Sequence, residues 1–346
     1  MTCIHFSSSH ATIALFRQTP GSDGCWNDLQ VILEDPEQKA DWLVAYDRHK
    51  APLKTRVPKA RRVLVISEPP DFQAYPEAYL DQFGIVLSPY NVKGFKGLTR
   101  ITQTALPWFY GMDIGAGGSL HVSKDWQALS QPVRTLEDRS LELTAICSTK
   151  SQTKNQVRRL RFLRLLKVAL GERLTIFGRG FQPLEDKAEV IENSRYHLAL
   201  ENNLLPHGWT EKTADTLLGG AFLIHGGSPA IADDFDKDGL LWIDLTRPRE
   251  SVERIRQCLD QGRAGNERAA IAMQANKDRL MHEHNLFAVL DKLVIDLSPE
   301  LADIPLLERP EPIRWIKASR LSRLLKVPRA AKRLLWHMEI TLFERK

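Results

Sequence analysis

At 346 residues the chain is long enough for two domains of ordinary size, and 43% apolar with 26% charged residues describes a soluble globular protein. No run approaches the ~18 uninterrupted apolar residues of a spanning helix. The net charge of +5 sits at the C-terminus: residues 313–346 hold ten Lys or Arg against two Glu, and the remainder sums to −3, so no nucleic-acid-binding body is expected.

Cys3, Cys25, Cys147 and Cys258 have neither metal-ligand nor redox spacing, which fits a reducing compartment. The opening MTCIHFSSSHATIALF lacks the basic and apolar regions of a secretory signal, so a cytoplasmic protein is expected. Residues 1–60 show little periodicity. Ala11–Phe16 suits a strand or a short helix, and Pro20–Gly24 is a turn cluster. Trp42–Tyr46 reads as a strand ending at Asp47, and the basic Arg48–Lys59, with Pro52 and Pro58, as a surface loop. Arg62–Ser67 is the clearest strand of this half and ends at Glu68-Pro69-Pro70. A short helix around Tyr75–Gln82 and a strand Gly84–Ser88 complete a β-α-β unit. Glu68 is either a solvated strand-end acid or a cleft carboxylate. Trp108 and Tyr110, in the aromatic segment Pro107–Met112, suit stacking on a sugar face and equally suit a core. Gly115–Gly118 lacks the following helix of a dinucleotide fingerprint and reads as a loop.

A second domain is predicted from Leu141. Leu143–Cys147 is a strand, Ser148–Gln156 a polar run, and Val157–Leu170 a helix with Val157, Leu160, Leu163, Leu166 and Leu170 at helical spacing. Arg158, Arg159, Arg161, Arg164 and Lys167 are assigned to its exposed face. Leu174–Phe177 is a strand entering the turn Gly178-Arg179-Gly180, and Asp186–Asn193 is helical. The stretch Tyr196–Leu245 organises this half. An apolar run ends in Glu201-Asn202, Trp209-Thr210-Glu211-Lys212 opens a helix, and Ala221–Ile224 delivers the chain to His225-Gly226-Gly227-Ser228-Pro229. Strand, charged loop, helix, strand and glycine turn make a doubly wound α/β pattern, whose ligands lie outside the carboxyl ends of the strands. A Glu and a Lys at a helix start suit a ribose hydroxyl and a diphosphate, with the helix N-terminus adding a positive field.

Helices follow at Arg249–Gln261, Asn266–Glu283 and Asn285–Ile295. They are expected to cover the sheet or return to the first domain. In Pro312–Lys346, Ile313, Ile316, Leu321, Leu324, Leu325, Leu334, Leu335 and Met338 form an apolar stripe opposite Arg and Lys, beside Trp315, Trp336 and Phe343. The direct reading is a helix pair on an anionic membrane surface. Packing on its own domain or in a homodimer is the alternative.

Glu201-Asn202, then Thr210-Glu211-Lys212, a short helix, and Gly227-Ser228-Pro229 with Asp234-Phe235 resemble the donor-binding motif of the family 10 glycosyltransferases, the α-1,3/4-fucosyltransferases, bacterial members above all. The resemblance implies an α/β fold of two Rossmann-like domains facing a cleft (GT-B architecture): an acceptor-side domain 1–140, a nucleotide-sugar domain 141–300 and a basic amphipathic tail 301–346. It implies inverting transfer of L-fucose from GDP-fucose to a hydroxyl of an acceptor glycan; it is the basic tail that points to a lipopolysaccharide or O-antigen sugar as acceptor and to the inner membrane. Glu68 would be the general base. Arg159, expected in the first turn of its helix, and Lys212 would hold the diphosphate. Glu211 would bind a donor hydroxyl, Glu201 would lie near the fucose, and Asn202 and Gly227 would lie close by. The family has Tyr where this chain has Gly208, so Trp209 either replaces that ring against the nucleotide or the donor contact has changed. Asp234-Phe235-Asp236 is assigned no metal, because Arg159 and Lys212 supply the counter-charge, and no cofactor beyond the donor is expected. Two rivals remain: a transferase of the same architecture using another nucleotide sugar, and a non-catalytic, membrane-peripheral sugar-nucleotide binding protein.

Overall fold

Unbroken apolar runs make the strands of this protein, as expected for parallel sheets covered on both faces. All five residues of Trp42–Tyr46 and all four of Arg62–Val65 are buried. The computed structural model describes residues 1–9, 13–49, 53–104, 107–114, 120–316, 336 and 340. Its first unit holds Met1–Pro107, Asp125–Ala128 and the chain from His282 to residue 316; the second holds Trp108–Lys124 and Leu129–Met281.

The first unit contains β1 (Thr2–Ser7), β2 (Cys25–Trp26), β3 (Leu29–Ile32), β4 (Trp42–Tyr46), β5 (Leu53–Thr55), β6 (Arg62–Val65), α1 (Glu77–Leu80), β7 (Ile85–Ser88) and β8 (Leu98–Ile101). Seven strands form one sheet in the order β2-β3-β1-β4-β6-β7-β8. Only the β2–β3 pairing is antiparallel. β1 and β3 were not predicted, and the described part of Ala11–Phe16 belongs to a 3₁₀ helix, Ile13–Gln18. β5 corrects the predicted loop Arg48–Lys59.

In the second unit β9 (Met112–Ile114) and β10 (Leu120–Val122) form an antiparallel pair; α2 (Trp126–Leu129), all but its last residue in the first unit, follows in the chain. Next come β11 (Leu141–Ile146), α3 (Lys154–Leu170), β12 (Leu174–Phe177), α4 (Lys187–Glu192), β13 (Ser194–Leu200), α5 (Glu211–Leu218), β14 (Phe222–Gly226), α6 (Ile231–Asp234), β15 (Leu240–Trp242), α7 (Pro248–Asp260) and α8 (Glu267–His282). The sheet order is β12-β11-β13-β14-β15, all parallel. The chain therefore winds one way from β11 to β12 and the other way from β13 onward. The switch point falls between β11 and β13, where a doubly wound sheet opens a crevice.

The chain then returns to the first unit. Leu286, Phe287, Leu290, Leu293, Val294 and Leu297 of α9 (Leu286–Leu301) share a core with Ile4, Phe6, Val44 and Val63. β16 (Glu311–Ile313) pairs antiparallel with β5. Glu311 meets Arg62 at 2.6 Å, and Ile313, 3% exposed, lies in a core with Leu43, Leu64 and Tyr79. The Trp315 ring packs 4.7 Å from that of Tyr79, and Ile316 packs on the same core. The start of the predicted amphipathic tail is thus part of the first unit, because its apolar residues have a protein surface to cover. Residues 317–335, 337–339 and 341–346 of that tail, and the predicted loop Gly115–Gly118, lie outside the described residues. Among the described residues no helix is long and apolar enough to cross a membrane.

Phe287 is fully buried. Phe287→Ala is expected to cost about 3–5 kcal/mol of stability, read as a lower urea midpoint. A loss below about 1 kcal/mol would mean that α9 does not complete that core.

Candidate active site

The carboxyl ends of β11 and β13 meet the start of α3 at the switch point. Thr153 caps α3, its side chain accepting from the Gln156 N–H. Arg159 is the sixth residue of this helix, in the second turn rather than the first, and it is 3% exposed, not on the solvent face. Its guanidinium donates to Asn202 Oδ1 at 2.7 Å and to Ser148 O at 3.2 Å. Its Nε atom is buried without a hydrogen-bond partner among the described residues. A glycine permits the neighbouring turn: Gly178 has φ +109, and a Cβ there would stand 2.3 Å from Cys147 O.

Glu201 follows β13 and is 1% exposed. Its Oε1 accepts from Thr210 N at 2.8 Å and Thr213 Oγ1 at 2.9 Å, and its Oε2 from Thr210 Oγ1 at 2.6 Å. Thr210 is the N-cap of α5. The buried carboxylate therefore fixes where α5 begins, and with it Glu211 and Lys212. Lys212 Nζ lies 2.9 Å from Glu211 Oε1, 3.0 Å from Thr210 Oγ1 and 3.9 Å from Glu201 Oε2. Burial alone would raise the Glu211 carboxyl, but the charges of Lys212 and then Lys187 outweigh it and hold it at about 2. Burial alone would lower Lys212; Glu211 and Glu201 outweigh it, and the ammonium is held above its ordinary value. Glu211 and Lys212 keep 24% and 18% of their side-chain surface exposed, whereas Glu201 is sealed.

Gly227 sits where a Cβ would meet His225 Nε2 at 2.5 Å and Glu201 Cγ at 3.1 Å, so the glycine lets β14's end close over Glu201. His225 is buried, its Nδ1 3.1 Å from Thr213 Oγ1, and burial pushes its pKa down to about 3. Trp209 is 6% exposed. Its ring packs 5.3 Å from Phe235 and its N–H donates to Asp234 Oδ2 at 2.8 Å. It is a packed ring, not an open stacking platform. His207 Nδ1 lies 3.3 Å from the same carboxylate oxygen. Among the described residues no three His, Cys, Asp or Glu side chains group as a metal site.

Glu68 belongs to the first unit, beyond the end of β6, half-buried, with its carbonyl accepting from Tyr90 OH at 3.3 Å. Trp108 and Tyr110 belong to the second unit and are 1% and 5% exposed. Asp215 accepts from the Phe109 and Tyr110 N–H groups at 2.8 and 2.9 Å, and Tyr110 OH donates to Glu192 at 2.5 Å. Of their two readings the core one holds, and neither is a sugar platform. Of the eight expected residues, the second unit brings together Arg159, Asn202, Glu201, Glu211, Lys212 and Gly227 and draws Trp209 into packing. Thr210 and Thr213 were missed as site residues. Their signal is a threonine pair at the start and third residue of a helix that follows a buried acid.

The cluster offers a guanidinium and an ammonium at a switch-point crevice, with carboxylates beside them. Such an arrangement can hold a diphosphate and a hydroxyl. The fold is similar to a solved structure of an alpha1,3-fucosyltransferase with GDP: TM-score 0.51, 15% identity, covering 89% of this chain and 93% of that one. A second alpha1,3-fucosyltransferase structure matches at TM-score 0.47 and 14% identity, covering 83% and 91%. An alpha-glucosyltransferase in complex with UDP and a 13-mer DNA matches at 0.49 and 10%, covering 86% and 99%. At 15% identity the first of these shows a likeness of fold alone, a mixed α/β fold built on parallel sheets. No family model matches the chain, and no curated protein sequence does.

Thr213→Val leaves Glu201 Oε1 and His225 Nδ1 each short of a partner, and is expected to cost about 1–3 kcal/mol in urea unfolding. His197 is also buried, and burial, then Lys187, lower it to about 3. Both imidazoles refuse in the fold a proton that they bind near 6.5 when unfolded. Their stabilisation is complete above about pH 6.5 and falls as pH drops toward 3, by up to ~1.4 kcal/mol per pH unit for each histidine. Urea midpoints at about pH 7.5 and 5.5 measure it, and equal midpoints would contradict it.

Proposed function

We propose that this protein is an inverting glycosyltransferase that moves L-fucose from GDP-fucose to a hydroxyl of an acceptor glycan. The observation that carries the reading is the single cluster of Arg159, Asn202, Glu201, Glu211 and Lys212 at the β11/β13 switch point, built on residues whose order and spacing resemble the fucosyltransferase donor motif. In this reading Arg159 and Lys212 bind the diphosphate and stabilise the charge that grows on departing GDP. Glu211 accepts from a donor hydroxyl, and Glu201 holds the α5 start that presents both neighbours. Glu68, in the first unit, takes the acceptor proton as its oxygen bonds to the anomeric carbon and the bond to the diphosphate breaks.

A second reading, a transferase using another nucleotide sugar, is favoured by one observation. The aromatic contact expected from Trp209 is withdrawn into packing with Phe235 and Asp234. The acceptor is proposed to be a lipopolysaccharide or O-antigen sugar, with the basic sequence beyond residue 316 as the part left to meet an anionic membrane from the cytoplasmic side.

Replacing Lys212 by Met is expected to weaken GDP binding about 10- to 100-fold in titration calorimetry, the loss of a charged hydrogen bond to phosphate. Unchanged GDP affinity would sink the donor assignment. Glu68→Gln is expected to lower turnover of GDP-fucose about 10²- to 10⁴-fold while GDP affinity stays put. Undiminished turnover would remove Glu68 from the mechanism.

A further inference from the structure

β4 and β6 are parallel neighbours, so their carboxyl ends open on one edge of the first unit. Asp47 directly follows β4, and beyond β6 the chain runs through Ile66 and Ser67 to Glu68. Asp47 has φ 52, in the left-handed region where Asp and Asn are the best tolerated residues after glycine. Its backbone N–H donates to Val65 O at 2.8 Å, which joins it to the end of β6. Its carboxylate is turned onto the segment that carries Glu68. Oδ1 accepts from Ser67 N at 2.9 Å and from Tyr75 OH, and Oδ2 accepts from Ser67 Oγ. Tyr79 OH donates to Asp47 O at 3.0 Å. Ser67, Tyr75 and Tyr79 thus bracket Glu68 and its two prolines, and all three bond to one residue. Tyr90 OH meets the Glu68 carbonyl from β7's side.

The clamp is backed by the returning chain. The Trp315 ring lies 6.2 Å from Tyr75 and 4.7 Å from Tyr79, and the Arg48 guanidinium stands 4.8 Å over the indole. Two acids therefore stand at adjacent strand ends, and one of them has both oxygens committed to hydrogen bonds within the fold.

We propose that Asp47 is the positioning residue for Glu68: it fixes the Ser67–Tyr79 segment so that the neighbouring carboxylate is delivered in one orientation. This rests on the reading of Glu68 as the base. Displacement of a catalytic group by about 1 Å can cost about 10² in rate without altering what binds elsewhere.

Asp47→Asn is the test. Asn tolerates the same left-handed backbone, but its amide nitrogen cannot accept from Ser67 or Tyr75. Turnover is read as GDP release from GDP-fucose with a mixed oligosaccharide acceptor pool, and GDP affinity by calorimetry. The expected result is a kcat about 10- to 100-fold lower with donor KM and GDP affinity within about twofold of wild type, since the donor cluster lies in the other unit. Tyr75→Phe, which deletes one bond, is expected to give the same pattern with a smaller fall. Hydrogen exchange is expected to quicken across Ser67–Tyr79 in both variants and to stay unchanged across β13 and α5. Wild-type kcat in Asp47→Asn overturns the proposal, as does an equal loss of GDP affinity, which would mark a residue of general stability. Undiminished turnover in Glu68→Gln overturns the base reading and the proposal with it. Faster exchange in Asp47→Asn alongside active Glu68→Gln would show that the clamp is real and the base reading is what failed.

Discussion

A carboxyl group that is 1% exposed at the end of a parallel strand is tolerated there only if its oxygens are hydrogen-bonded. Glu201 meets that condition through one turn of chain, accepting from Thr210 N, Thr210 Oγ1 and Thr213 Oγ1. The same bonds decide where α5 starts, so the buried acid at the end of β13 and the helix that follows are one object. Gly227 is the opposite side of that constraint, since a side chain there would press on Glu201 and His225. The half-buried pair Glu211 and Lys212 is positioned by a residue that solvent scarcely reaches.

The cations of the cluster already have partners inside the protein. Lys212 sits on Glu211 and Thr210, and Arg159 on Asn202 and Ser148. In the proposed function a bound diphosphate would therefore exchange hydrogen bonds rather than create them from nothing. This keeps the net gain per contact modest and makes specificity depend on geometry. Arg159 is held in that geometry by the helix that buries it, with Phe162, Leu163 and Leu166 on the same face. In the proposal for the first unit Asp47 plays the corresponding part, its hydrogen bonds holding the segment that carries Glu68.

Most of the parallel strands were legible because burial on both faces leaves continuous apolar runs, as in WLVAY and FLIHG. β1 was not, because TCIHFS mixes His5 and Cys3 into a strand whose last four residues are buried. Arg159 was counted among five cations of an exposed face. Its position, three before Phe162, four before Leu163 and seven before Leu166, puts it on the apolar stripe, so helical spacing read through the arginine itself would have placed it inward. Trp209 could not be placed from sequence, since its burial depends on Phe235 and Asp234, which reach it only through the fold. Ile313 and Trp315 looked like the start of a membrane stripe for a related reason. Periodicity shows that a face is apolar, and only β5, Tyr75 and Tyr79 show what covers it.

The central claim is that the second unit's switch point holds a guanosine diphosphate. Thermal unfolding with GDP, UDP, CMP and dTDP in parallel tests it without any need for the acceptor. A nucleotide at about 100 times its dissociation constant stabilises the fold by roughly 2.7 kcal/mol, well within reach of the method. The account predicts a rise in melting temperature with GDP and none with the other three, lost in Lys212→Met. A rise with UDP or CMP in place of GDP, or none with any nucleotide, would contradict it.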